Sequence, residues 1–152
     1  MKIIKVLAVV LIILIAGLYV FYQAFFRSAV PPYSGSIVLS GLSAPVEVRT
    51  DDYGVPHLFA ENEHDLFLAQ GYITARERMF QMDMTRLAGR GELSSLFGEA
   101  TLDTDKYLKT LGFYRTARAE YAAMPQAEKE IIAAYTAGVN AFLEKRKPNF
   151  AK

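Results

Sequence analysis

From Val6 to Phe26 the chain carries no charged residue, and beyond that run apolar positions recur in two different rhythms. The first rhythm is short. Ser36-Ile37-Val38-Leu39, closed by Ser40-Gly41, reads as a strand. Val46-Glu47-Val48-Arg49 alternates apolar and polar, as a half-buried strand does. Thr50-Asp51-Asp52-Tyr53-Gly54 is a turn signal, because Asx side chains bond the local backbone and glycine permits positive φ. Val55-Pro56-His57-Leu58-Phe59-Ala60 returns as extended chain, with Pro56 suited to an edge or a strand start. A β-hairpin or small meander is expected here.

The second rhythm is helical. Asn62 is a candidate N-cap, with His64 and Asp65 in the first turn. Leu66, Ala69, Ile73, Phe80, Met84 and Leu87 recur near a 3.6 period, with a polar gap at Arg76-Glu77. Phe67, Met79 and Met82 widen that stripe, so a buried helix is expected, ending around Gly89 and Gly91. A short continuation follows from Gly91 to Phe97. Asp103 to Leu111 reads as the next helix, broken at Gly112, and Phe113 to Ala122 as another. Pro125 stands at a first helical position. Ile131, Ile132, Tyr135, Val139 and Phe142 then mark a last helix, which ends in Lys145-Arg146-Lys147-Pro148. Gly138 interrupts it, at a cost of about 1 kcal/mol against alanine unless close packing requires it.

The apolar run reads as a transmembrane helix. Its length as a helix is roughly 31 Å, close to the thickness of a bilayer core. Lys2 and Lys5 precede it, which places the N-terminus in the cytoplasm, and Tyr19, Tyr22 and Phe26 cluster at the far end as an aromatic belt would. A cleaved signal peptide is the competing reading. It has a shorter apolar core and a small-x-small cleavage site, whereas bulky residues fill the end of this run. An uncleaved signal anchor is therefore expected over residues 1–27, then a linker over 28–35 containing Pro31-Pro32 and Ser34-Gly35. The domain proper is residues 36–152, with the bulk of the chain periplasmic or extracellular. The fold class is α+β: the anchor, a short hairpin or meander, then mostly helix.

Composition changes this picture little. The chain has 152 residues and a net charge of +1, which gives no basic field for nucleic acid. It has no cysteine, which excludes disulfides and thiolate metal sites.

Candidate chemistry is sparse. His57, beside a turn, suits a base or a metal ligand, but no second ligand stands at metal spacing, so a structural imidazole closing the hairpin is favoured. His64 reads as a solvated residue near a helix start. Asp51, Asp52, Glu77, Asp83, Asp103 and Asp105 contain no compelling acid–base pair. Asp51-Asp52 fits turn chemistry, Asp103 a cap or first-turn role, and Asp83 an ion pair with Arg86 or, on a buried helix, with Arg78. Ser94 and Ser95 lie on a helical stretch, and no serine occupies a Gly-x-Ser-x-Gly elbow. Gly89-Arg90-Gly91 has no preceding strand and does not form a phosphate loop. No catalytic, cofactor-binding or metal-binding residue is assigned.

Four blocks in order carry a resemblance. They are Asp51 with Gly54-Val55-Pro56-His57, Gly71-Tyr72 with Arg78-Met79-Phe80-Gln81-Met82-Asp83, Gly91-Glu92-Leu93-Ser94-Ser95-Leu96-Phe97-Gly98, and Tyr135-Thr136-Ala137-Gly138-Val139-Asn140-Ala141-Phe142. The chain resembles the start of the α-chain of the penicillin acylase family, N-terminal-nucleophile amidohydrolases. It departs from that pattern at Arg86-Leu87, where a paired arginine is frequent, and at Glu92, where a basic residue is frequent.

The resemblance implies an edge portion of a four-layer αββα core and a parent enzyme that hydrolyses linear amides, such as those of a β-lactam nucleus or a homoserine lactone. It implies that the serine nucleophile, the oxyanion donors and most ligands of a calcium ion belong to a β-chain, and that no cofactor is held in this segment. The partners implied are the remainder of the α-chain and the β-chain of the same precursor, with the membrane met through residues 6–26. The competing class is a membrane-tethered helical binding or scaffolding module without enzymatic activity. The apolar helix from Leu66 to Leu87 speaks against it, since few elements remain to cover that surface.

Overall fold

A computed structural model describes residues 2–26 and 34–146. The chain divides into two compact units, Met1–Ile37 and Val38–Lys152. In the first, helix α1 spans Lys2–Phe25. Its segment Ile4–Phe25 is long and apolar enough to cross a membrane. Its end is aromatic: Phe21 stacks on Phe25 at 5.5 Å and Tyr22 on Phe26 at 5.7 Å. Most of the expected linker, and the chain from Lys147 onward, lie outside the described residues.

The second unit opens with a hairpin. Strand β1 (Glu47–Thr50) pairs antiparallel with β2 (Pro56–Phe59), with Val48 opposite Leu58 and Arg49 opposite His57. The turn closes as its residues dictate. Asp51 Oδ1 accepts hydrogen bonds from the N–H groups of Tyr53 and Val55, each at 2.9 Å, and Gly54 takes φ 79°. The expected strand at Ser36–Leu39 does not form; that segment runs without sheet pairing. Its Leu39 packs on the core, and Lys145 Nζ donates to the Val38 carbonyl at 2.9 Å. With its backbone held by a side chain and no partner strand, it makes no ladder.

Five helices and a 3₁₀ turn follow. Helix α2 (Glu63–Arg90) starts at Asn62, whose side chain accepts from the Asp65 N–H at 2.8 Å, and stops at Gly91, in the left-handed region at φ 63°. Then come α3 (Ser94–Phe97), a 3₁₀ turn (Gly98–Thr101), α4 (Leu102–Leu111), α5 (Phe113–Ala123) and α6 (Gln126–Arg146). Gly112, at φ 75°, separates α4 from α5.

The core lies between α2 and α6. A Cβ on Gly71 would meet the Tyr135 backbone carbonyl, and one on Gly138 would meet that of Leu68. Both glycines are therefore needed for close approach, and the helical cost of Gly138 is offset by this packing. Tyr72 and Phe142 meet edge to face at 5.8 Å, with Ile73 and Ala75 beside them and Leu39, Leu58, Met79, Met82 and Val139 around.

The buried face of α2 differs from the expected stripe. Leu68, Ala69, Tyr72, Ile73, Ala75 and Leu87 are buried, whereas Leu66 and Met84 are half-buried and Phe80 is 75% exposed. The backbone leaves helical dihedrals at Arg78 (φ −133°, ψ 20°), so one unbroken 3.6 period does not describe this helix.

Candidate functional site

Two buried carboxylates organise the second unit. Asp65, on the first turn of α2, has no solvent exposure. It accepts from Ser43 N at 3.0 Å, Ser43 Oγ at 2.6 Å, Ala44 N at 2.9 Å and Asn62 Nδ2 at 2.8 Å. A carboxylate at a helix N-terminus is favoured by the helix dipole as well, so this one clamps the loop before β1 onto α2. The Ser43 hydroxyl and N–H, and then Asn62 and His64, outweigh burial and hold the carboxyl far below the usual range.

Asp105, on α4, does the same for another loop. It accepts from Leu93 N at 2.8 Å and Ser94 N at 2.7 Å, which satisfies the first N–H groups of α3. Burial pushes its carboxyl up, but hydrogen bonds from Ser94 and Leu93, and the charge of Lys109, bring it below the usual value. Gly91 allows this approach, since a Cβ there would stand 2.7 Å from the Asp105 carbonyl.

Ser43, Asp65 and His64 lie together, yet their order is wrong for a nucleophilic triad. His64 Nδ1 lies 3.2 Å from Asp65 Oδ1, and the Ser43 hydroxyl donates to the same carboxylate. In a triad the imidazole stands between hydroxyl and carboxylate and takes the hydroxyl proton. Here the only base beside the hydroxyl is a carboxylate of lowered pKa, too weak to activate it.

The remaining candidates are dispersed. His57 Nε2 lies 3.1 Å from Asp51 Oδ2, across the hairpin and in solvent. Asp52 is an exposed turn residue. Arg76 and Glu77 pair at 2.8 Å, partly buried. Asp83 pairs with Arg86 at 2.8 Å and not with Arg78, which is exposed; the alternative pairing expected for a fully buried helix does not form. Asp103 sits in the first turn of α4, 2.9 Å from Lys106 Nζ. Ser95 Oγ donates to the Glu92 carbonyl at 2.7 Å. Glu92 stands 2.9 Å from Arg90 Nε, a contact of charges rather than a directed hydrogen bond, and the Arg90 guanidinium covers the Tyr114 ring at 4.8 Å.

Sequence reasoning missed the roles of Asp65 and Asp105. For Asp65 a signal existed: an N-cap Asn62 followed three residues later by an acid is a variant of the capping box. For Asp105 none did, because its partners lie on a different loop. Among the described residues no cluster of His, Asp and Glu is arranged to hold a metal ion. Among the described residues, what the two buried carboxylates do is position backbone.

Comparison with known proteins gives this scaffold its context. The family model for penicillin amidase matches residues 45–151. The penicillin acylase 2 proenzyme of Pseudomonas sp. (strain SE83) is 38% identical over 122 residues, which is 80% of this chain and 16% of that protein. The acyl-homoserine lactone acylase QuiP of Pseudomonas fluorescens (strain Pf0-1) is 34% identical over 117 residues, 77% of this chain and 14% of that one. Penicillin G acylase of Escherichia coli is 31% identical over 107 residues, 70% of this chain and 13% of that one. The solved structure of a thermostable penicillin G acylase from Alcaligenes faecalis matches at a TM-score of 0.60 and 33% identity, covering 71% of this chain and 58% of that chain. The chain thus spans about one-sixth or less of the length of these curated relatives. A mostly helical unit with a two-stranded antiparallel sheet, an N-capped α2 and a glycine-mediated α2–α6 contact is the scaffold over which these matches run, and the chain belongs to the penicillin amidase family.

Proposed function

We propose that this chain is the amino-terminal scaffold segment of an amidohydrolase that hydrolyses linear, non-peptide amide bonds and frees an acyl group from an amine. The amine would be a β-lactam nucleus or a homoserine lactone, the two kinds of partner that the names of the relatives suggest. The observation that carries the reading is 38% identity over 80% of the chain with a penicillin acylase proenzyme, against 16% of that protein's length. The segment supplies structure: a hairpin for the edge of an αββα core and helices that cover it. The nucleophile, its base and any calcium ion are assigned to the parts of the precursor beyond this segment. In that reading the nucleophilic serine's own α-amino group serves as base, directly or through a water, and backbone donors stabilise the oxyanion.

The unit containing α1 is read as a signal anchor, with Lys5 on the cytoplasmic side and the second unit outside. Its support is the uncharged, membrane-length helix with an aromatic end. A reporter fused after Lys152 that works only in the cytoplasm would reject this orientation.

The scaffold assignment is tested by activity. The purified 152-residue chain should not hydrolyse phenylacetyl, aliphatic acyl or acyl-homoserine lactone amides above background, whereas the complete precursor should after maturation. Turnover by the chain alone that disappears on replacing Ser94, Ser95 or His57 would overturn the assignment.

A further inference from the structure

Helix α5 forms over 11 residues, yet every one of them is exposed. An isolated helix this short is marginal in water, so its formation calls for a surface that takes one of its faces. One face is distinct. Tyr114, Arg118 and Tyr121 recur at i, i+4 and i+7, while Thr116, Glu120 and Ala123 lie on the other side. Three cations crowd this stripe. The Arg90 guanidinium, from the end of α2, lies 4.8 Å from the Tyr114 ring centroid, and that of Arg118 lies 5.9 Å from the same centroid. Lys129, near the start of α6, holds its ammonium 5.7 Å from the Tyr121 ring and donates to the Ala122 carbonyl at 3.0 Å. These charges are poorly answered. Glu92 faces Arg90, and among the described residues neither Arg118 nor Lys129 has a carboxylate partner. Stacking on the rings eases the gathering of the cations but leaves a positive field along the stripe.

We propose that this stripe of α5 rests on an anionic phospholipid surface, with Arg118, Arg90 and Lys129 taking headgroup phosphates and the two tyrosines set at headgroup level. It is a contact with lipid separate from α1, and it rests on the reading of α1 as a membrane anchor. Chemistry and chain connectivity select that occupant. Tyrosines interleaved with arginine and lysine are the composition of a helix that lies in a membrane interface. A guanidinium holds phosphate through paired N–H donors, and a tyrosine suits a boundary where one end is apolar and the other wet. An anionic bilayer attracts such cations only within a Debye length of about 10 Å, so the surface must already be near. About a dozen residues join Phe25 to Val38, a tether of roughly 40 Å at full extension, which keeps the second unit beside any bilayer that α1 crosses.

The chain contains no cysteine, so an environment-sensitive dye on a single introduced thiol reports on one position. Ala117→Cys on the stripe side of α5, Tyr53→Cys at the 93% exposed hairpin turn and Ile13→Cys in α1 would be made in the full 152-residue chain. Each would be reconstituted in phosphatidylcholine vesicles, with and without phosphatidylglycerol, that carry a lipid-borne quencher. The dye at position 117 should be quenched when phosphatidylglycerol is present, and at least about fivefold less in phosphatidylcholine alone or in high salt. The dye at position 53 should stay unquenched throughout. Arg118→Gln in the Ala117→Cys background should weaken the quenching about fivefold, the scale of one basic residue at an anionic surface, while Arg118→Lys should keep most of it. Circular dichroism should show the same helicity in these variants, since Arg118 is exposed. Equal signals at positions 117 and 53 with phosphatidylglycerol present, while position 13 is quenched, would overturn the lipid contact and leave the anchor standing. An unquenched position 13 with a quenched position 117 would reject the anchor and keep the contact. Shielding of position 117 from aqueous iodide without anionic lipid, in this chain or in the matured precursor, would give the stripe to a second copy or to another segment and so overturn the proposal.

Discussion

Helices α2 and α6 touch backbone to backbone, whereas α3 to α5 bury almost nothing. At the first contact two glycines remove every atom that would separate the helices, and Tyr72, Ala75 and Phe142 close around them. In the second region Asp105 and Gly112 are the buried residues, apart from Gly91 at its start, and α5 buries none. Leu96, Phe97, Tyr107, Leu111, Phe113 and Tyr121 remain exposed. Both regions are helical, and glycines stop α2, α3 and α4. What separates them is that, among the described residues, only the first has a partner that buries it. Local signals (caps, glycine stops, helical period) suffice to form a helix, but burial decides which helices carry the stability of the unit.

The sharpest way to break that contrast is to add atoms at the glycine contact. Helix propensity alone would favour Gly138→Ala by about 1 kcal/mol. The added Cβ would overlap the Leu68 carbonyl, which cannot move without displacing α2. Overpacking should win, and Gly138→Ala should destabilise the unit by about 3 kcal/mol or more, with Gly71→Ala similar. Urea unfolding of the detergent-solubilised chain measures it, and a neutral or stabilised Gly138→Ala variant would show that the helices are not in contact there. Phe142→Ala should cost about 3–5 kcal/mol by leaving a cavity against Tyr72.

Next in size is the Asp65 clamp. Asp65→Asn keeps the shape but cannot accept from Ser43 and Ala44 as a charged carboxylate does, and should lower the melting temperature at pH 7 by roughly 5–10 °C. Its pH dependence has a definite sign. The carboxyl titrates lower in the folded than in the unfolded chain. The clamp's contribution is therefore complete above the ordinary aspartate value of about 3.9 and declines as pH falls below it, where the unfolded state binds more protons. The gap between wild type and Asp65→Asn should be constant from about pH 8 to about pH 5 and shrink steadily toward about pH 2. A gap that widened in acid would mean that Asp65 is not held ionised.

These contrasts also mark how far the sequence can be read. The hairpin turn, the Asn62 cap, the stop at Gly91 and the break at Gly112 are legible in the residues and their immediate neighbours, whereas Gly138 is legible only as a helix glycine that close packing could justify, its neighbour Leu68 being distant in sequence. The departures involve contacts distant in sequence. Ser36–Leu39 has strand composition but meets a lysine from α6 instead of another strand. A stripe on Leu66, Phe80 and Met84 presumes a straight α2, while the kink at Arg78 and the α6 glycine set the buried face. Asp65 and Asp105 reach loops 21–22 and 11–12 residues away, and the local signal at Asn62 and Asp65 marks a cap without showing which loop the carboxylate holds. The meeting of Ser43, Asp65 and His64, with the carboxylate rather than the imidazole beside the hydroxyl, is another contact made across distant parts of the chain.

The smallest expected effect is the most discriminating. Tyr107 on α4 is 64% exposed, as much an aromatic as Tyr72 but without a place in the core. Tyrosine and serine have similar helix propensity, so Tyr107→Ser changes little within α4 itself. Removing an exposed ring from a surface that nothing described in this chain covers should shift the melting temperature of the isolated chain by no more than about 2–3 °C. Tyr72→Ser, with the same chemical change, should be severely destabilising because it empties the space beside Phe142. The two substitutions differ only in burial, so their ratio measures how much of the unit's stability lies in the α2–α6 contact. Comparable losses for both would mean that α4 is packed in solution and that the chain alone is more complete than its exposed rings indicate.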